Sequence, residues 1–277
     1  MTEDLLSAAI SPEEVELFKE RNPNFGLALG RLEEALRQTF LREMKPTPGK
    51  PADQHFVVFF LSHQAIEEFF DIVQLAVHGN GLGALRLLRA LYERVVAALY
   101  LAKHPDEVQN FNDYADVHAR RTIKHAQDAG DIRRWVSSEK EMEVEAHYQR
   151  VKPRFQETCP KCGTTRDMGS WSRKDPKVQA KEVGLERLYL PSYFWPTMLL
   201  HTTRISLESR LTTTPAGFEF QHGPRHEDAD YALSYAHALI VKLVIELKRF
   251  FGLEVDTAPL IEDVRRCWGR AAEELRS

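Results

Sequence analysis

Charged side chains recur at regular spacing within a stretch of the chain that is otherwise apolar. In the segment Leu82–Lys103, Arg86, Arg89 and Glu93 follow one another at i, i+3 and i+7, and therefore share one face of a helix. The rest of the circumference is mostly apolar, which predicts a buried helix. Charges on such a helix must be paired or must face a cleft, because burying an isolated charge is unfavourable.

A second polar row lies on a later apolar segment. Its members are spaced i, i+4, i+7 and i+11 along Pro191–Leu211: Thr197, His201, Arg204 and Glu208. If the two rows pack together, Arg89, Glu93 and His201 form a candidate catalytic group, with Arg86 and Arg204 as binding residues. Two interpretations remain open. One is a structural ion-pair network that fixes helix register, and the other is a site for an anion or phosphodiester, for which arginine is well suited.

A third candidate site lies between these two rows along the sequence. Arg120 and His125 match the Arg-x4-6-His pattern, and in this the segment resembles the HEPN ribonucleases. In those enzymes an arginine and a histidine on paired protomers activate the 2′-hydroxyl and stabilise the phosphorane. Helical geometry favours another row, His118, Arg121, His125 and Asp128, which makes Arg121 and His125 candidate binding residues. The alternative is a half-exposed helix edge with no catalytic role.

Two of the three cysteines have the spacing of a zinc knuckle. Cys159 and Cys162 could supply two thiolate ligands, but a structural zinc site needs four. Cys267 stands alone in the terminal segment, so His147 or a second copy of the chain would have to complete the site. A plain exposed turn is the alternative.

Glycines and basic residues mark two further segments. The run Gly79–Gly83 opens a predicted helix, and helix N-termini bind anions, but no strand precedes it, so a turn between two helices is favoured. Residues 150–181 hold nine basic and three acidic side chains, with Phe155 and Trp171 between them. This segment is interpreted either as a surface for nucleic-acid phosphates and bases or as a solvated charged loop.

Apolar residues recur at helical spacing almost throughout, and no alternating strand pattern is evident. The sequence therefore predicts an all-α, multi-helix bundle. Residues 1–45 are expected to form N-terminal helices and residues 53–277 the main bundle, with a loop-rich basic insert at about 153–176.

Composition narrows the class of protein. The net charge of −4 argues against a protein that coats nucleic acid through bulk charge. Three cysteines in 277 residues form no disulfide framework. We find neither a signal peptide nor an apolar run of roughly 20 residues. These features predict a cytoplasmic protein with no membrane partner.

The order of these features resembles a bacterial helical family, the domain of unknown function 5677. The resemblance rests on Arg86-x2-Arg89-x3-Glu93, on the Tyr100-Leu101 pair that follows, on a proline-started helix and on a later segment with Tyr189 and His201. It covers about residues 82–210. Where the family has Ser, this chain has Thr197, and the cysteine knuckle is not a family feature. The resemblance implies a helical fold and supports the choice of Arg89, Glu93 and His201.

Two functions follow as expectations. The first is a HEPN-like, metal-independent ribonuclease that acts as a homodimer, as a toxin or anti-phage defence effector. The second is a non-enzymatic helical module that binds an anionic ligand or a protein partner. RNA or another phosphate-bearing ligand is the expected binding partner. Neither function needs a cofactor, and zinc at Cys159 and Cys162 is the one metal that the sequence suggests.

Overall fold

The computed structural model describes residues 12–40, 49, 51–130, 132–215 and 217–273. This part of the chain is helical apart from two short β-hairpins, which confirms the predicted all-α bundle. It divides into two compact units, Met1–Lys103 with Pro176–Ser277, and His104–Asp175. The second unit thus begins well before the insert expected at 153–176. Of the expected N-terminal helices, residues 1–11 and 41–45 lie outside the described residues.

Four helices of the first unit precede residue 104. They are α1 (Pro12–Arg21), α2 (Phe25–Phe40), α3 (Ala52–Val77) and α4 (Gly81–Lys103). Helix α3 follows Pro51, has Asp53 in its first turn, and ends before Gly79, which has a left-handed φ of 66°. Proline just before a helix and glycine just after it are common boundaries.

The second unit consists of a helix pair and a hairpin. After a 3-10 turn at Pro105–Glu107, its elements are α5 (Val108–Asp128), α6 (Ile132–Trp135), α7 (Ser138–Val151), a 3-10 turn at Lys152–Arg154, β1 (Gln156–Thr158) and β2 (Thr165–Asp167). Helix α5 packs against α7, and β1 pairs antiparallel with β2. Their shared core contains Tyr114, Val117, Tyr148, Val151, Phe155 and Met168.

The first unit resumes at residue 176. Its remaining elements are α8 (Pro176–Glu182), α9 (Glu186–Tyr189), a π-helical turn (Leu190–Phe194), α10 (Trp195–Leu200), α11 (Arg204–Glu208), β3 (Leu211–Thr214), β4 (Gly217–Phe220), α12 (His226–Phe251), α13 (Ala258–Trp268) and α14 (Arg270–Glu273). No helix in the described ranges is both long and apolar enough to cross a lipid bilayer.

The core of the first unit is formed by its three longest helices. Helices α3, α4 and α12 pack against one another, and their shared side chains are fully buried, as at Phe69, Leu88 and Leu239. The apolar area that these three helices bury against one another is the main stabilising contribution to folding. Ion pairs attach the N-terminal helices to this unit: Arg21 binds Asp230 at 2.9 Å, and Arg31 binds the buried Asp263.

Two short hairpins interrupt the predicted all-helical pattern. Hairpin β1–β2 spans residues 156–167, within the insert that was predicted to be loop-rich, and β3–β4 spans residues 211–220, within the predicted main bundle. Each strand has only three or four residues, most of them exposed. They are too short for alternation to mark a strand clearly in the sequence, although Phe218 and Phe220 flank Glu219 in β4.

Candidate functional site

The turn between α3 and α4 is made of glycine and asparagine. Gly79 takes a left-handed conformation, and the Asn80 side-chain oxygen accepts a hydrogen bond at 3.0 Å from the amide of Gly83. Asn80 therefore acts as the N-terminal cap of α4. The predicted turn between two helices is present, and the N-terminus of α4 begins directly after it.

This turn packs closely against the start of α12. The amide of Arg225 donates to the carbonyl oxygen of Gly79 at 2.8 Å. A Cβ atom on Gly81 would lie 2.5 Å from both the Arg225 carbonyl oxygen and Asp228 Cβ, so only glycine allows this approach. As a result, the N-termini of two long helices, α4 and α12, lie side by side.

A cavity of about 230 Å³ opens where these two N-termini meet. We call it the glycine–arginine cavity, and its lining consists of His78, Gly79, Asn80, Gly81, Leu82, Arg210, Gly223, Pro224 and Arg225. None of these lining residues is acidic, and two carry a guanidinium group. The cavity is therefore a positively charged region in a chain whose net charge is negative.

Arg225 is held in place by one carboxylate. Its Nε lies 2.6 Å from Asp228 Oδ2, and its Nη1 is buried with no hydrogen-bond partner among the described residues. Burial raises the pKa of Asp228, while the positive charge of Arg225 and, more weakly, that of Arg210 oppose this rise. Since a buried donor without a partner is unfavourable, Arg225 is well placed to bind an acceptor that enters the cavity.

Arg210 has no such carboxylate partner. Its Cζ lies 5.6 Å from the ring centroid of Phe220, and its carbonyl oxygen accepts from the amide of Gln221 at 2.8 Å. In the described ranges no acidic side chain lies within ion-pair distance of its guanidinium. Of the two arginines that line the cavity, Arg225 is therefore paired with Asp228, whereas Arg210 has no ion-pair partner among the described residues.

Helix ends add to this positive potential. The first amides of a helix point out of its N-terminus and carry a partial positive charge. Arg225 precedes α12 without giving it a side-chain cap, so the first amides of α12 receive no hydrogen bond from that residue's side chain. Guanidinium groups and helix N-termini both favour oxyanions, phosphate above all.

Comparison with known protein families identifies the chain. A family model described as "Family of unknown function (DUF5677)" matches residues 55–218, more than half of the 277 residues. The chain belongs to this family. The comparisons with curated proteins and with solved structures gave no match.

The family match extends over most of the glycine–arginine cavity. The DUF5677 segment includes the turn from His78 to Leu82 and also Arg210, while Gly223, Pro224 and Arg225 follow its end. The resemblance to DUF5677 drawn from the sequence is thus confirmed. The family description itself assigns no activity.

In this DUF5677 chain the predicted row on α4 is only partly buried. The helix is buried along its apolar faces, as predicted, but Arg86 and Glu93 of the polar row are exposed. Arg89 lies between them, with its Nη2 3.5 Å from Glu93 Oε1 and its Cζ 5.2 Å from the ring centroid of Tyr193. The face of α4 that carries Arg86 and Glu93 is open to solvent, whereas the opposite faces pack against α3 and α12.

The second predicted row is interrupted. Helix α10 ends at Leu200, and His201, which follows it, has an extended ψ of 149°. Helix α11 begins after Thr203, and the side chains of Thr203 and Ser206 form a capping box at its N-terminus. Continuous helical spacing across this segment was therefore a wrong prediction. His201 and Arg204 are exposed, and Arg204 Nε binds Glu208 at 2.6 Å.

Of the three candidate catalytic residues, Arg89 and Glu93 form an ion pair, but His201 is not bonded to either of them in the described part of the chain. Within the ranges that the structure describes, no hydrogen bond or ion pair links His201 or Arg204 to Arg89 or Glu93. Helices α4 and α10 pack against each other, but the imidazole lies exposed at the end of α10. Whether these side chains act together remains a prediction.

The candidates of the second unit have different surroundings. Arg121 donates to the Tyr114 hydroxyl at 2.9 Å and also to the Met168 carbonyl, so it links α5 to the hairpin. Arg120 is paired with Glu145, and His125 is exposed. The arrangement gives Arg121 a structural role and leaves His125 accessible.

The cysteine pair lies at the end of the β1–β2 hairpin. Cys159 is half-buried and Cys162 exposed, and both are free thiols. No group of three or more His, Cys, Asp or Glu side chains suited to a metal occurs in the described ranges. His147, which was considered as a third ligand, has its Nδ1 3.6 Å from Asp116 Oδ1.

Sequence reasoning overlooked Arg210 and Arg225. The glycine run was noticed, and so was its potential to bind anions, but nothing in the sequence indicated which distant residues would face it. The one local signal is the Gly223-Pro224-Arg225 turn directly before an acidic helix start at Glu227.

Proposed function

We propose that this chain is a helical module that binds a phosphate-bearing ligand in the glycine–arginine cavity. The observation that carries the proposal is the combination of Arg210 and Arg225 with two helix N-termini around a cavity without an acidic lining residue. Charge-assisted hydrogen bonds from guanidinium to phosphate are about twice as strong as neutral ones.

The surroundings of the cavity favour a phosphate ester over free phosphate. A second cavity of about 510 Å³ shares Gly223, Pro224 and Arg225 with the first. Its lining includes the exposed Phe220 and His222, whose ring centroids lie 5.0 Å apart. A phosphate in the first cavity would therefore leave its organic substituent beside these rings, and a nucleotide or an RNA phosphate meets both requirements.

Calorimetric titration tests this proposal. Adenosine 5′-monophosphate is expected to bind, and adenosine, which lacks the phosphate, is not. Arg210→Gln should weaken binding roughly tenfold or more, because a hydrogen bond to a charged group contributes about 1.5–3 kcal/mol. Arg210 has no carboxylate partner, so its replacement leaves no buried acid unpaired.

Arg204→Gln is the matched control. It removes a guanidinium six residues earlier in the chain, from an exposed side chain that does not line the cavity. Its affinity for the nucleotide should equal that of the wild type. Equal losses in both variants would indicate a general effect of surface charge and would contradict a defined site.

The metal-independent ribonuclease is the second candidate. Two observations favour it. His125 and His201 are exposed, and neither imidazole has a hydrogen-bond or ion-pair partner in the described part of the chain. Each is thus accessible to an RNA substrate and free to transfer a proton. A toxin or defence role and a homodimer would follow from that activity and are proposals of the same kind.

A further inference from the structure

The β1–β2 hairpin brings two thiols together at its tip. The amide of Cys159 donates to the Thr164 carbonyl at 2.9 Å, and the amide of Gly163 donates to the Cys159 carbonyl at 2.9 Å. Gly163 has a left-handed φ of 70°, which closes the turn. Cys159 and Cys162 stand on either side of the Pro160-Lys161 dipeptide of this turn, and both are free thiols. The turn therefore presents both sulfur atoms as one pair.

The exposed cysteine is also held by a contact within the turn. Cys162 Sγ donates to the Thr164 hydroxyl oxygen at 3.3 Å. Its thiol is free and exposed, so the sulfur is accessible at the tip of the hairpin. Cysteine binds metal ions as the thiolate.

One chain supplies only half of a zinc site. Structural Zn²⁺ is bound by four ligands in tetrahedral geometry, and the described residues contain no group of three or more metal-binding side chains. The hairpin tip is exposed from Pro160 to Thr164, and Cys159 beside it is half-buried, so a second hairpin has room to approach the tip. Two such tips facing each other would provide four thiolates.

We propose that Cys159 and Cys162 of two copies of this chain together bind one Zn²⁺ and so join the copies at their hairpin tips. Four thiols lose four protons to solvent, and four Zn–S bonds form without any change in oxidation state. The same residues of each copy take part, as a two-fold symmetric contact requires. This inference is independent of the glycine–arginine cavity.

Charge supports the pairing. A Zn²⁺ ion with four thiolates carries a charge of −2. Lys161 lies between the two cysteines and is exposed, so two copies contribute two positive charges beside the metal. Arg166, on β2 of the same hairpin, has its charge offset by Glu157 at 3.8 Å, so the lysines supply the net positive charge. Approach of two hairpins without the metal would meet repulsion between these cations.

The test combines zinc analysis with the molar mass of the full-length protein, purified under reducing conditions with zinc present. About one zinc per two chains and a dimer mass are expected. Cys162→Ser should lose the zinc and become monomeric, whereas Cys267→Ser should retain both. A chelator should separate the wild-type dimer, and added Zn²⁺ should restore it. Circular dichroism of Cys162→Ser should match the wild type, because the side chain is exposed.

Several results would overturn the proposal. One zinc per monomer would mean that a single chain completes the site. Absence of zinc from the wild type, or a dimer that survives both the chelator and Cys162→Ser, would exclude a bridging metal. Substitution with Co²⁺ adds an independent readout, since tetrahedral thiolate coordination gives intense visible absorption that Cys162→Ser should abolish.

Discussion

A histidine in the core of the first unit should make the stability of the protein depend on pH. His237 lies on α12 and is fully buried. Trp268 Nε1 donates to its Nδ1 at 2.8 Å, and the rings of Phe25 and Phe69 lie at centroid distances of 5.6 and 6.3 Å. Burial lowers the pKa of His237 to about 4, and the charge of Asp263 opposes this effect.

The direction and size of the effect follow from proton linkage. In the unfolded chain a histidine has a pKa near 6.5, so between pH 6.5 and 4 the unfolded state binds a proton that the folded state does not. Stability from the neutral ring is fully present above pH 6.5 and is lost as the pH falls towards 4. Between pH 7 and pH 5 the free energy of unfolding should fall by about 2 kcal/mol from His237 alone.

The perturbation that isolates this contribution is His237→Asn. Its amide oxygen lies near the place of Nδ1 and can accept from Trp268, but asparagine does not titrate. Urea unfolding at pH 7 and pH 5 is the assay, and the variant should lose about 2 kcal/mol less than the wild type on acidification. His55, whose pKa burial also lowers, is present in both proteins and cancels.

His125→Asn is the control, because His125 is exposed. It should show the pH dependence of the wild type. The reasoning is refuted if His237→Asn keeps the full wild-type dependence, since the buried imidazole would then titrate like an exposed one.

Two further predictions concern the cavity and the ribonuclease hypothesis. Gly81→Ala should lower the free energy of unfolding by about 1–3 kcal/mol, because the added Cβ would overlap the start of α12. Gly30 has open space around it, so Gly30→Ala should leave the free energy of unfolding unchanged or raise it by up to about 1 kcal/mol. Equal unfolding curves for both variants would show that the turn and α12 are not in close contact. If the chain is a ribonuclease, RNA should be cleaved in EDTA and His201→Ala or His125→Ala should abolish cleavage without lowering the melting temperature. Unchanged cleavage in both variants, or none in the wild type, would contradict that hypothesis.

Helical periodicity was enough to locate the long helices. The predicted helix Leu82–Lys103 corresponds to α4 within one residue at each end, and α3 starts one residue before the predicted bundle boundary at residue 53. Both have long apolar patterns and clear glycine or proline boundaries, so local and tertiary preferences agree. The break at His201 was missed, although Thr203 and Ser206 have the spacing of a capping pair.

The site was harder to predict than the fold. Periodicity shows which residues share a helix face, but not whether that face is covered, and in the structure Arg86 and Glu93 are exposed. The glycine–arginine cavity depends on tertiary contacts between Gly79, Gly81 and residues beyond position 209. Helical spacing carries no information about such distant pairings.

The most direct test of phosphate binding is a nuclear magnetic resonance titration of backbone amides with adenosine 5′-monophosphate. Our account predicts that the amide resonances of Gly79, Gly81 and Gly223, which line the cavity, shift in a saturable way. Those of Gly30 and Gly130, which do not line it, should stay in place. Saturable shifts confined to other parts of the chain, or no shifts at millimolar nucleotide, would contradict a phosphate site in the glycine–arginine cavity.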